Sequence, residues 1–352
     1  MRPVLGTEEI IAIKKVVDSK FLTEGNVTKA FEDKVAKYTH SRYAIATTSA
    51  TTALHAAFES VNVKKKKVLV SDFTFPATAL AIIQAGGIPV LVDVERDTMN
   101  VSRDIIEESE QKCNFICPVS LFGNPLSEDF YKLKNKGCII IEDAATNLGV
   151  KIRNKYVGSL ADITCFSFHP RKIITTGEGG MITTNNKKFN DSIRSFKTFG
   201  KIGNKFMNLG TNYKLSDIQS AIGISQMNRI EKIIKKRKNM ADIYDELISK
   251  IEHIQPQKKV PNSRHTAQSY VCVISKPNLR DKIIQRLAED NIESQIGTYA
   301  LHCLPVFRKI LKVGSLINSE YLYKNSISLP LHEELTHEDQ QFICKNIKKT
   351  LC

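Results

Sequence analysis

The stretch FSFHPRKIITTGEGGMITTNN, residues 166–186, has a polar, glycine-rich centre between two hydrophobic segments that are typical of strands. Lys172 lies in this centre and precedes the run TTGEGG, residues 175–180. A lysine held on such a tight turn loses part of its hydration, which favours the deprotonated amine that a nucleophilic lysine requires. Because the chain contains 51 lysines and arginines, only the surrounding sequence can give Lys172 a chemical role.

Apolar runs alternate with helical segments on the N-terminal side of Lys172. Four of these runs have the length of strands: VLVSD at 68–72, PVLVDV at 89–94, FICPVS at 115–120 and CIIIEDAA at 138–145. Strands this apolar are buried on both faces, so they predict an α/β fold with a mainly parallel sheet covered by helices. In such a sheet ligands bind beyond the carboxyl ends of the strands, where the polar residues of these runs lie.

The C-terminal third has a different pattern. An amphipathic helix is predicted from about Ser216 to Lys250, and shorter strand and helix patterns follow Pro261. The chain has 352 residues, which exceeds the usual size of one domain. We therefore predict a large domain, residues 1–240, and a small α+β domain, residues 241–352.

The strand-like run at 138–145 ends in a carboxylate, Asp143. A buried aspartate at a strand end can keep the ring nitrogen of a cofactor protonated, because the carboxylate stabilises the positive charge. An aspartate at this point can equally cap the helix that follows. The segment alone leaves both interpretations open.

The run TTSATTALH, residues 47–55, predicts a turn from a strand into a helix, with small residues, hydroxyls and the free N–H groups of a helix start. This combination binds phosphate groups. An ordinary Ser or Thr helix cap has the same composition and is the more common use of such a turn. The phosphate-binding interpretation of this turn is favoured because the turn occurs together with Asp143 and Lys172.

These three segments occur together with five further motifs, FLTEGNVTKAFE, DFTFPATALAIIQAGGIPVLVDV, PVSLFGNP, NYKLSDIQSAIG and SLPLHEELT. With them, the sequence from about Phe21 to Leu351 resembles the DegT/DnrJ/EryC1/StrS family of sugar aminotransferases, which has the type I aspartate aminotransferase fold. The resemblance implies a mainly parallel seven-stranded sheet flanked by helices and a smaller α+β C-terminal domain. It also implies pyridoxal 5′-phosphate (PLP) as the cofactor of the large domain.

The same resemblance implies roles for individual residues. Lys172 would bind PLP covalently as a Schiff base, Asp143 would contact the pyridine nitrogen, and Phe75 would stack on the ring. Pyridoxamine phosphate is the implied intermediate. The residues implied to hold the phosphate are Ser49, Ala50 and Ser167.

Asn212 lies in the motif NYKLSDIQSAIG, whose asparagine, in this family, reaches the phosphate of the neighbouring subunit's cofactor. The resemblance therefore implies a homodimer with a shared active site. A turn asparagine that precedes a helix is the alternative interpretation of Asn212.

Two further positions are candidates for site residues. Thr146 stands where the family usually has Gln or Glu after D-A-A, so we predict that Thr146 contacts the cofactor through a water, or that Asn147 replaces it. His302, in LHCLPVF, resembles a stretch near the sugar nucleotide, which makes it a candidate substrate residue; a packed or surface histidine is the alternative. His169, beside the lysine segment, is assigned a structural role.

By resemblance, the protein transfers an amino group from L-glutamate to a nucleotide-linked keto sugar, in the biosynthesis of an amino sugar for a surface polysaccharide, a glycan or a secondary metabolite. A PLP-dependent sugar dehydratase is one alternative, but those enzymes typically have histidine at the position of Lys172. A non-catalytic PLP-binding regulatory protein is the other, and the sequence leaves it open.

The composition bounds other functions. The net charge of +14 is dispersed over the runs at 64–67, 235–238 and 345–349, which predicts solvated surface rather than a nucleic-acid site. The eight cysteines lack zinc-like spacing, so we predict buried free thiols and no metal site. Because the sequence has no signal peptide and no apolar stretch of spanning length, we expect a cytoplasmic protein without a membrane segment.

Overall fold

The computed structural model describes residues 3–109 and 114–351. The six cysteines within these ranges form no disulfide, as predicted, but the prediction that they are buried is wrong for two of them: Cys138 and Cys303 are half-buried. Cys113 and Cys352, for which the same prediction was made, lie outside the described residues.

The fold alternates helices and strands along most of the chain. The helices are α1 (Thr7–Ser19), α2 (Asn26–Thr39), α3 (Ala50–Ser60), α4 (Ala77–Gln84), α5 (Arg103–Glu108), α6 (Lys187–Lys197), α7 (Asp217–Asn228), α8 (Ile230–Ile248), α9 (Arg280–Glu289), α10 (Ile317–Asn325) and α11 (His337–Leu351). The 3₁₀ helices are Glu128–Lys136, Leu301–Cys303 and Pro305–Phe307.

The strands form one large sheet and several smaller ones. They are β1 (Tyr43–Thr47), β2 (Lys67–Ser71), β3 (Phe73–Thr74), β4 (Ile88–Val92), β5 (Phe115–Cys117), β6 (Ile139–Asp143), β7 (Lys151–Ile152), β8 (Lys155–Tyr156), β9 (Ile163–Ser167), β10 (Gly180–Thr184), β11 (Lys201–Ile202), β12 (Lys205–Phe206), β13 (Ile254–Pro256), β14 (Ser263–Arg264), β15 (Tyr270–Ile274), β16 (Gln295–Ile296), β17 (Tyr299–Ala300), β18 (Leu311–Lys312) and β19 (Ser326–Leu329).

The large sheet has eight strands in the order β1-β10-β9-β6-β5-β2-β4-β18. Only β10 runs antiparallel to its neighbours, so the predicted mainly parallel sheet is confirmed. The predicted number of seven strands is exceeded by β18, a two-residue strand at the edge of the sheet that pairs with β4. Two residues are too few to produce a periodic pattern in the sequence, which explains the difference.

Both faces of the large sheet are buried, as strands that are apolar throughout require. In β2, Val68 and Val70 pack with α3 and α4 in one core cluster, whereas Leu69 packs on the opposite face with residues of α5 and α10. A third cluster joins α2, α7 and α8 to β1, β9 and β10. The carboxyl ends of β1, β6 and β9 are thereby held at one edge of a rigid layer.

The C-terminal part contains an antiparallel sheet, β13-β15-β19-β16, packed with α8, α9 and α11. Its later segments return to the N-terminal part, where β17 pairs with β3 in a two-stranded sheet and β18 pairs with β4 of the large sheet. The division between residues 1–240 and 241–352 stays a prediction, and its boundary falls inside α8.

Two expectations about this region need correction. The single helix predicted from about Ser216 to Lys250 is two helices, because the backbone at Arg229 leaves the helical conformation (φ −120°, ψ 11°). The basic run 235–238 is not wholly solvated, since Arg237 is 4% exposed. Its guanidinium donates to the carbonyls of Gln268 and Leu331 at 3.1 and 3.2 Å, which joins α8 to the C-terminal part.

Asp217 links α7 to the N-terminal end of α2. It is the first residue of α7, is buried, and accepts hydrogen bonds from the backbone N–H groups of Gly25 and Thr28 at 2.9 Å each. The Thr28 hydroxyl also donates to it at 2.6 Å. The carboxylate thus takes the place of a local cap at the N-terminus of α2, whose own cap residue is a glycine.

We expect Asp217→Ala to lower the free energy of unfolding by about 2–4 kcal/mol, because it leaves buried donors without an acceptor. Denaturant unfolding followed by circular dichroism measures the change. Asp33→Ala is the matched control, since Asp33 lies on the exposed face of α2 and pairs only with Lys29, and we expect a loss within about 0.5 kcal/mol. Equal effects of both substitutions would contradict the capping role.

Candidate active site

Lys172 lies on a turn that is held from several sides. Its backbone N–H donates to the His169 carbonyl at 2.9 Å, and the next residue, Ile173, is buried in the core. The side-chain amide of Gln268 donates to the Arg171 carbonyl at 2.7 Å. These contacts fix the loop, in agreement with the tight turn expected from the sequence.

Two glycines allow the strand after this loop to approach its neighbours. A Cβ atom at Gly179 would lie 2.3 Å from Oγ1 of Thr176, and one at Gly180 would lie 2.3 Å from the carbonyl oxygen of Ser49. Side chains do not tolerate such distances, so both positions require glycine. The start of β10 therefore lies directly against the turn that precedes α3.

The turn between β1 and α3 is a capped helix start. Ser49 Oγ accepts a hydrogen bond from the backbone N–H of Thr52 at 3.1 Å, and Thr52 Oγ1 accepts one from the N–H of Ser49 at 2.9 Å. Gly180, which lies against Ser49, pairs with Ser167 at the end of β9. The three residues predicted to hold phosphate, Ser49, Ala50 and Ser167, are thus brought together at the carboxyl ends of β1 and β9.

Asp143 is the last residue of β6 and is 6% exposed. Its Oδ2 accepts a hydrogen bond from Thr78 Oγ1 at 2.7 Å, and its Oδ1 accepts one from the N–H of Ala145 at 3.1 Å. Burial raises the pKa of the Asp143 carboxyl, while these hydrogen bonds and the positive charge of Lys172 oppose the rise. A nearby cation would therefore stabilise the ionised carboxylate further.

The charges of Lys172 and Asp143 each affect the pKa of the other group. Burial lowers the pKa of the Lys172 amine, the Asp143 carboxylate opposes this, and the positive charge of Arg171 adds to it. A lowered pKa increases the fraction of neutral amine at neutral pH, which a nucleophile or a proton acceptor needs. The structure therefore places the two principal predicted residues in one site.

Phe75 lies between β3 and α4, and 62% of it is exposed. Thr78, the hydrogen-bond donor to Asp143, follows one helical turn later, so one short segment positions both residues. The ring of Tyr299 lies 6.2 Å from the ring of Phe75. An aromatic ring that is exposed beside a buried carboxylate offers a flat apolar face to a bound ring.

Thr146 is half-buried beside Asp143, and its hydroxyl donates to the Ser120 carbonyl at 2.9 Å and to Asn147 Oδ1 at 3.0 Å. Asn147 is buried, and it also accepts from the N–H of Gly123 and donates to the Asn124 carbonyl. Both polar groups of the Asn147 side chain are thus used within the protein. We therefore do not retain Asn147 as a replacement, whereas contact of Thr146 with the cofactor stays a prediction.

Asn212 is exposed and lies on the segment that follows the β11–β12 hairpin. In sequence it is far from the turn at Ser49 that is predicted to bind phosphate. Its backbone forms an isolated bridge with Thr198, and its side-chain oxygen accepts a hydrogen bond from Lys214. The neighbouring Tyr213 hydroxyl lies 2.9 Å from His55 Nδ1 in α3. Contact of Asn212 with a second subunit stays a proposal.

His302 is attached to the segment that leads to Phe75. Its Nδ1 lies 2.6 Å from Oδ2 of the buried Asp72, and its backbone N–H donates to Oδ1 of Asp72 at 2.9 Å. His169 has a local role, because its Nδ1 accepts a hydrogen bond from the N–H of Arg171 at 3.2 Å. This contact helps to shape the Lys172 turn.

Four residues of the site were not predicted from the sequence. Thr78 could have been predicted, because it follows Phe75 by three residues at a helix start and so lies on the same side of the segment as Phe75. The others act across long sequence separations and left no local pattern. They are Asp72, Gln268 and Tyr299.

Glu142, which precedes Asp143, is a second buried carboxyl. Ser120 Oγ donates to it at 2.8 Å and the Tyr131 hydroxyl donates at 3.0 Å. Burial nevertheless raises the pKa of Glu142 to about 7. The folded protein thus keeps the Glu142 proton between pH 4.5 and 7, whereas the unfolded chain releases it, so this residue makes stability fall as pH rises through that window.

We expect Glu142→Gln to remove this pH dependence. Relative to the unsubstituted protein, the variant should gain about 2–3 kcal/mol in the free energy of unfolding between pH 5 and pH 8. Denaturant unfolding at both pH values measures the difference. Glu246→Gln, at an exposed residue of α8 that pairs with Lys250, should show no such change. A parallel pH profile for Glu142→Gln and the unsubstituted protein would contradict the assignment.

The residues present fit PLP. Gly180 lies against the capped turn at Ser49, and a Cβ atom at this position would collide with the turn. The free N–H groups at the start of α3 suit a phosphate. The buried Asp143 suits a protonated ring nitrogen, and the exposed Phe75 suits the face of a ring. Lys172 supplies an amine with a lowered pKa in the same site.

In residues 3–109 and 114–351, no group of three or more His, Cys, Asp or Glu side chains is arranged to hold a metal ion. Among the helices of the same ranges, none combines the length and the apolar composition needed to cross a membrane.

Comparison with known proteins gives one consistent result. The model of the DegT/DnrJ/EryC1/StrS aminotransferase family matches residues 3–348. GDP-perosamine synthase of Escherichia coli O157:H7 is 31% identical, over 99% of this chain and 97% of the relative.

Solved structures agree with this match. PseC of Helicobacter pylori, an aminotransferase involved in the biosynthesis of pseudoaminic acid, superimposes with a TM-score of 0.93 at 26% identity, over 99% of this chain and 98% of the other. The PLP form of the sugar aminotransferase Spr1654 of Streptococcus pneumoniae, described as putative, has a TM-score of 0.92 at 26% identity, over 99% and 97% of the two chains. These matches cover both the large sheet and the C-terminal part.

Proposed function

Because this chain belongs to the DegT/DnrJ/EryC1/StrS aminotransferase family, we propose that it moves an amino group from L-glutamate to a keto sugar carried on a nucleotide. The chain is a PLP-dependent aminotransferase. The observation that carries the proposal is the position of Lys172 on the turn after β9, next to the strand β6 that ends in the buried Asp143, in a chain that matches the family over almost its whole length. The product would be an amino sugar for a surface polysaccharide or another glycan.

Different residues of the site would bind different parts of the cofactor. When bound, PLP withdraws electrons from the substrate carbon that loses or gains a proton. Asp143 keeps a proton on the ring nitrogen, because its buried carboxylate stabilises the positive charge. Phe75 covers one face of the ring. The residues that hold the phosphate are Ser49, Ala50, Ser167 and, from a second subunit, Asn212.

Lys172 holds the cofactor and moves protons. With the cofactor bound, the Nζ of Lys172 would accept the proton from the α-carbon of the amino donor. In the second half of the reaction the same Nζ returns a proton to the sugar carbon that receives the amino group. The lowered pKa of Lys172 supports both roles, because the amine must be neutral to accept the first proton.

A homodimer is part of the proposal. Asn212 is exposed in the single chain, and the β11–β12 hairpin and the segment after it present apolar side chains to solvent, with Phe206 71% and Leu209 95% exposed. Exposed apolar side chains that lie together are typical of a protein interface. The acceptor site would then be completed by two chains.

Mixing two variants, assayed at a PLP concentration too low to saturate Asn212→Ala, tests this arrangement. We expect Asn212→Ala to weaken PLP binding about tenfold through the loss of one phosphate contact, and Lys172→Ala to be inactive. In a mixed dimer of the two variants, one site would combine an intact Lys172 with the partner's intact Asn212, so activity should return after refolding together. If Asn212 served its own chain, each site would retain one defect and activity would not return.

Two other functions are less supported. A sugar dehydratase of the same fold is disfavoured because Lys172 is present. A regulatory PLP-binding protein would take up the cofactor, but L-glutamate would not bleach its visible absorbance. An aminotransferase loses that absorbance when the donor is added.

The substrate is tested by loading the protein with pyridoxamine phosphate and adding a panel of nucleotide-linked keto sugars. We expect at least one of them to restore the visible absorbance of the lysine-bound cofactor, with release of an amino sugar. A panel that restores nothing, while 2-oxo acids do restore it, would contradict the sugar-nucleotide acceptor. The cytoplasmic location stays a prediction.

A further inference from the structure

Three side chains beside the predicted PLP-binding residues form a line from the interior to the surface. Oδ2 of Asp72 lies 2.6 Å from Nδ1 of His302, and Nε2 of His302 lies 3.3 Å from Sγ of Cys303. The side chain of Asp72 is fully buried, that of His302 is 19% exposed, and Cys303 is half-buried. A carboxylate, an imidazole and a thiol are thus arranged in sequence.

The backbone fixes this line. The strand β17, which ends two residues before His302, pairs with β3, which begins directly after Asp72. The N–H of Leu301 donates to the Asp72 carbonyl at 2.9 Å, and the N–H of His302 donates to Asp72 Oδ1 at 2.9 Å. Both carboxylate oxygens of Asp72 therefore bind the same residue, which leaves the imidazole little freedom to rotate.

The hydrogen bonds set the proton position on the imidazole. An ionised carboxylate only accepts hydrogen bonds, so Nδ1 of His302 carries the hydrogen that faces Asp72. In the neutral imidazole Nε2 then has a lone pair directed at the thiol of Cys303, which donates to it. A nucleophile, a base and a group that orients the base form the arrangement that activates nucleophiles in enzymes.

We propose that Cys303 is an oxidant-sensitive thiol for which His302, oriented by Asp72, acts as the base. Nε2 takes the thiol proton, Sγ attacks one oxygen of a peroxide, and the O–O bond breaks. The sulfur is oxidised to a sulfenic acid, the peroxide is reduced, and the leaving hydroxide takes the proton from His302 to form water. For hydrogen peroxide the balance is one thiol and one peroxide giving one sulfenic acid and one water.

The groups around Cys303 make the reactivity of its thiol depend on the base His302. Burial and the negative charges of Glu320 and Asp72 raise the pKa of the Cys303 thiol, and Lys324 opposes them. The resting thiol therefore keeps its proton, and reaction with an oxidant requires His302 to remove it. This dependence separates the proposal from simple exposure of a sulfur atom, and it does not rest on the proposed substrate.

Peptide mapping after oxidation tests the proposal. The PLP-loaded protein is exposed to hydrogen peroxide together with dimedone, which labels sulfenic acids, and the labelling rates of Cys303 and Cys138 are compared. Cys138 is the internal control, because it is also half-buried and burial also raises the pKa of its thiol. We expect Cys303 to react at least about tenfold faster than Cys138.

Variants of the base complete the test. His302→Gln should lower the labelling rate of Cys303 by about 10²-fold, the usual contribution of a general base, and leave that of Cys138 unchanged. Asp72→Asn should lower it as well, provided that it folds; His302→Gln decides the matter without it. Equal rates for the two cysteines, or a Cys303 rate that His302→Gln does not change, would overturn the proposal.

Discussion

Lys172→Ala is expected to lower kcat for transamination by at least about 10³-fold, because the variant loses both the amine that binds PLP and the base that moves the proton. The turn around residue 172 should persist, since its contacts are made by the backbone and by Ile173 and Gln268. Steady-state turnover with L-glutamate measures the loss.

Chemical rescue sharpens this prediction. A small primary amine added to Lys172→Ala should recover part of the turnover, because it can act as the missing base, whereas a lost fold would not respond. Lys187→Ala is the matched control, as Lys187 is an exposed lysine that pairs with Asp191, and its kcat should be unchanged. Full activity of Lys172→Ala would refute the assignment of the catalytic lysine.

Asp143→Asn is expected to have the second largest effect, a fall in kcat of about 10²–10³-fold. The side-chain amide of the variant can still form a hydrogen bond with Thr78 or Ala145, but it has no negative charge to keep a proton on the ring nitrogen. PLP should still bind, because Lys172 and the phosphate-binding turn are intact. Turnover and the pH dependence of the cofactor absorbance together measure the effect.

Asp162→Asn is the control for this substitution. Asp162 accepts a hydrogen bond from the N–H of Ile140, near the opposite end of β6, so its loss should affect stability rather than kcat. If both variants lost activity equally, or if Asp143→Asn retained full kcat, the role assigned to Asp143 would be contradicted.

Local chemistry explains which parts of the site could be predicted. Lys172, Asp143 and Ser49 each lie at a strand end or on a turn whose residue types indicate a task, and the structure brings them to the same edge of the sheet. The parallel sheet was predictable because its strands are apolar on both faces. The break at Arg229 was not, since the amphipathic period continues through it.

The remaining features depend on distant contacts. Thr78 lies 65 residues from Asp143 in sequence, and Asp72 lies 230 residues from His302. No local pattern encodes such pairs, because they form only when the strands that carry them are packed. The line from Asp72 to Cys303 therefore became visible only in the folded protein.

Borohydride reduction of the PLP-loaded protein, followed by mass mapping of its peptides, tests the central claim most directly. Reduction fixes the cofactor to the lysine that holds it. We predict a single phosphopyridoxyl group on the peptide that contains Lys172, and none in Lys172→Ala. A label on another lysine, or no label in a protein that has bound PLP, would contradict the account.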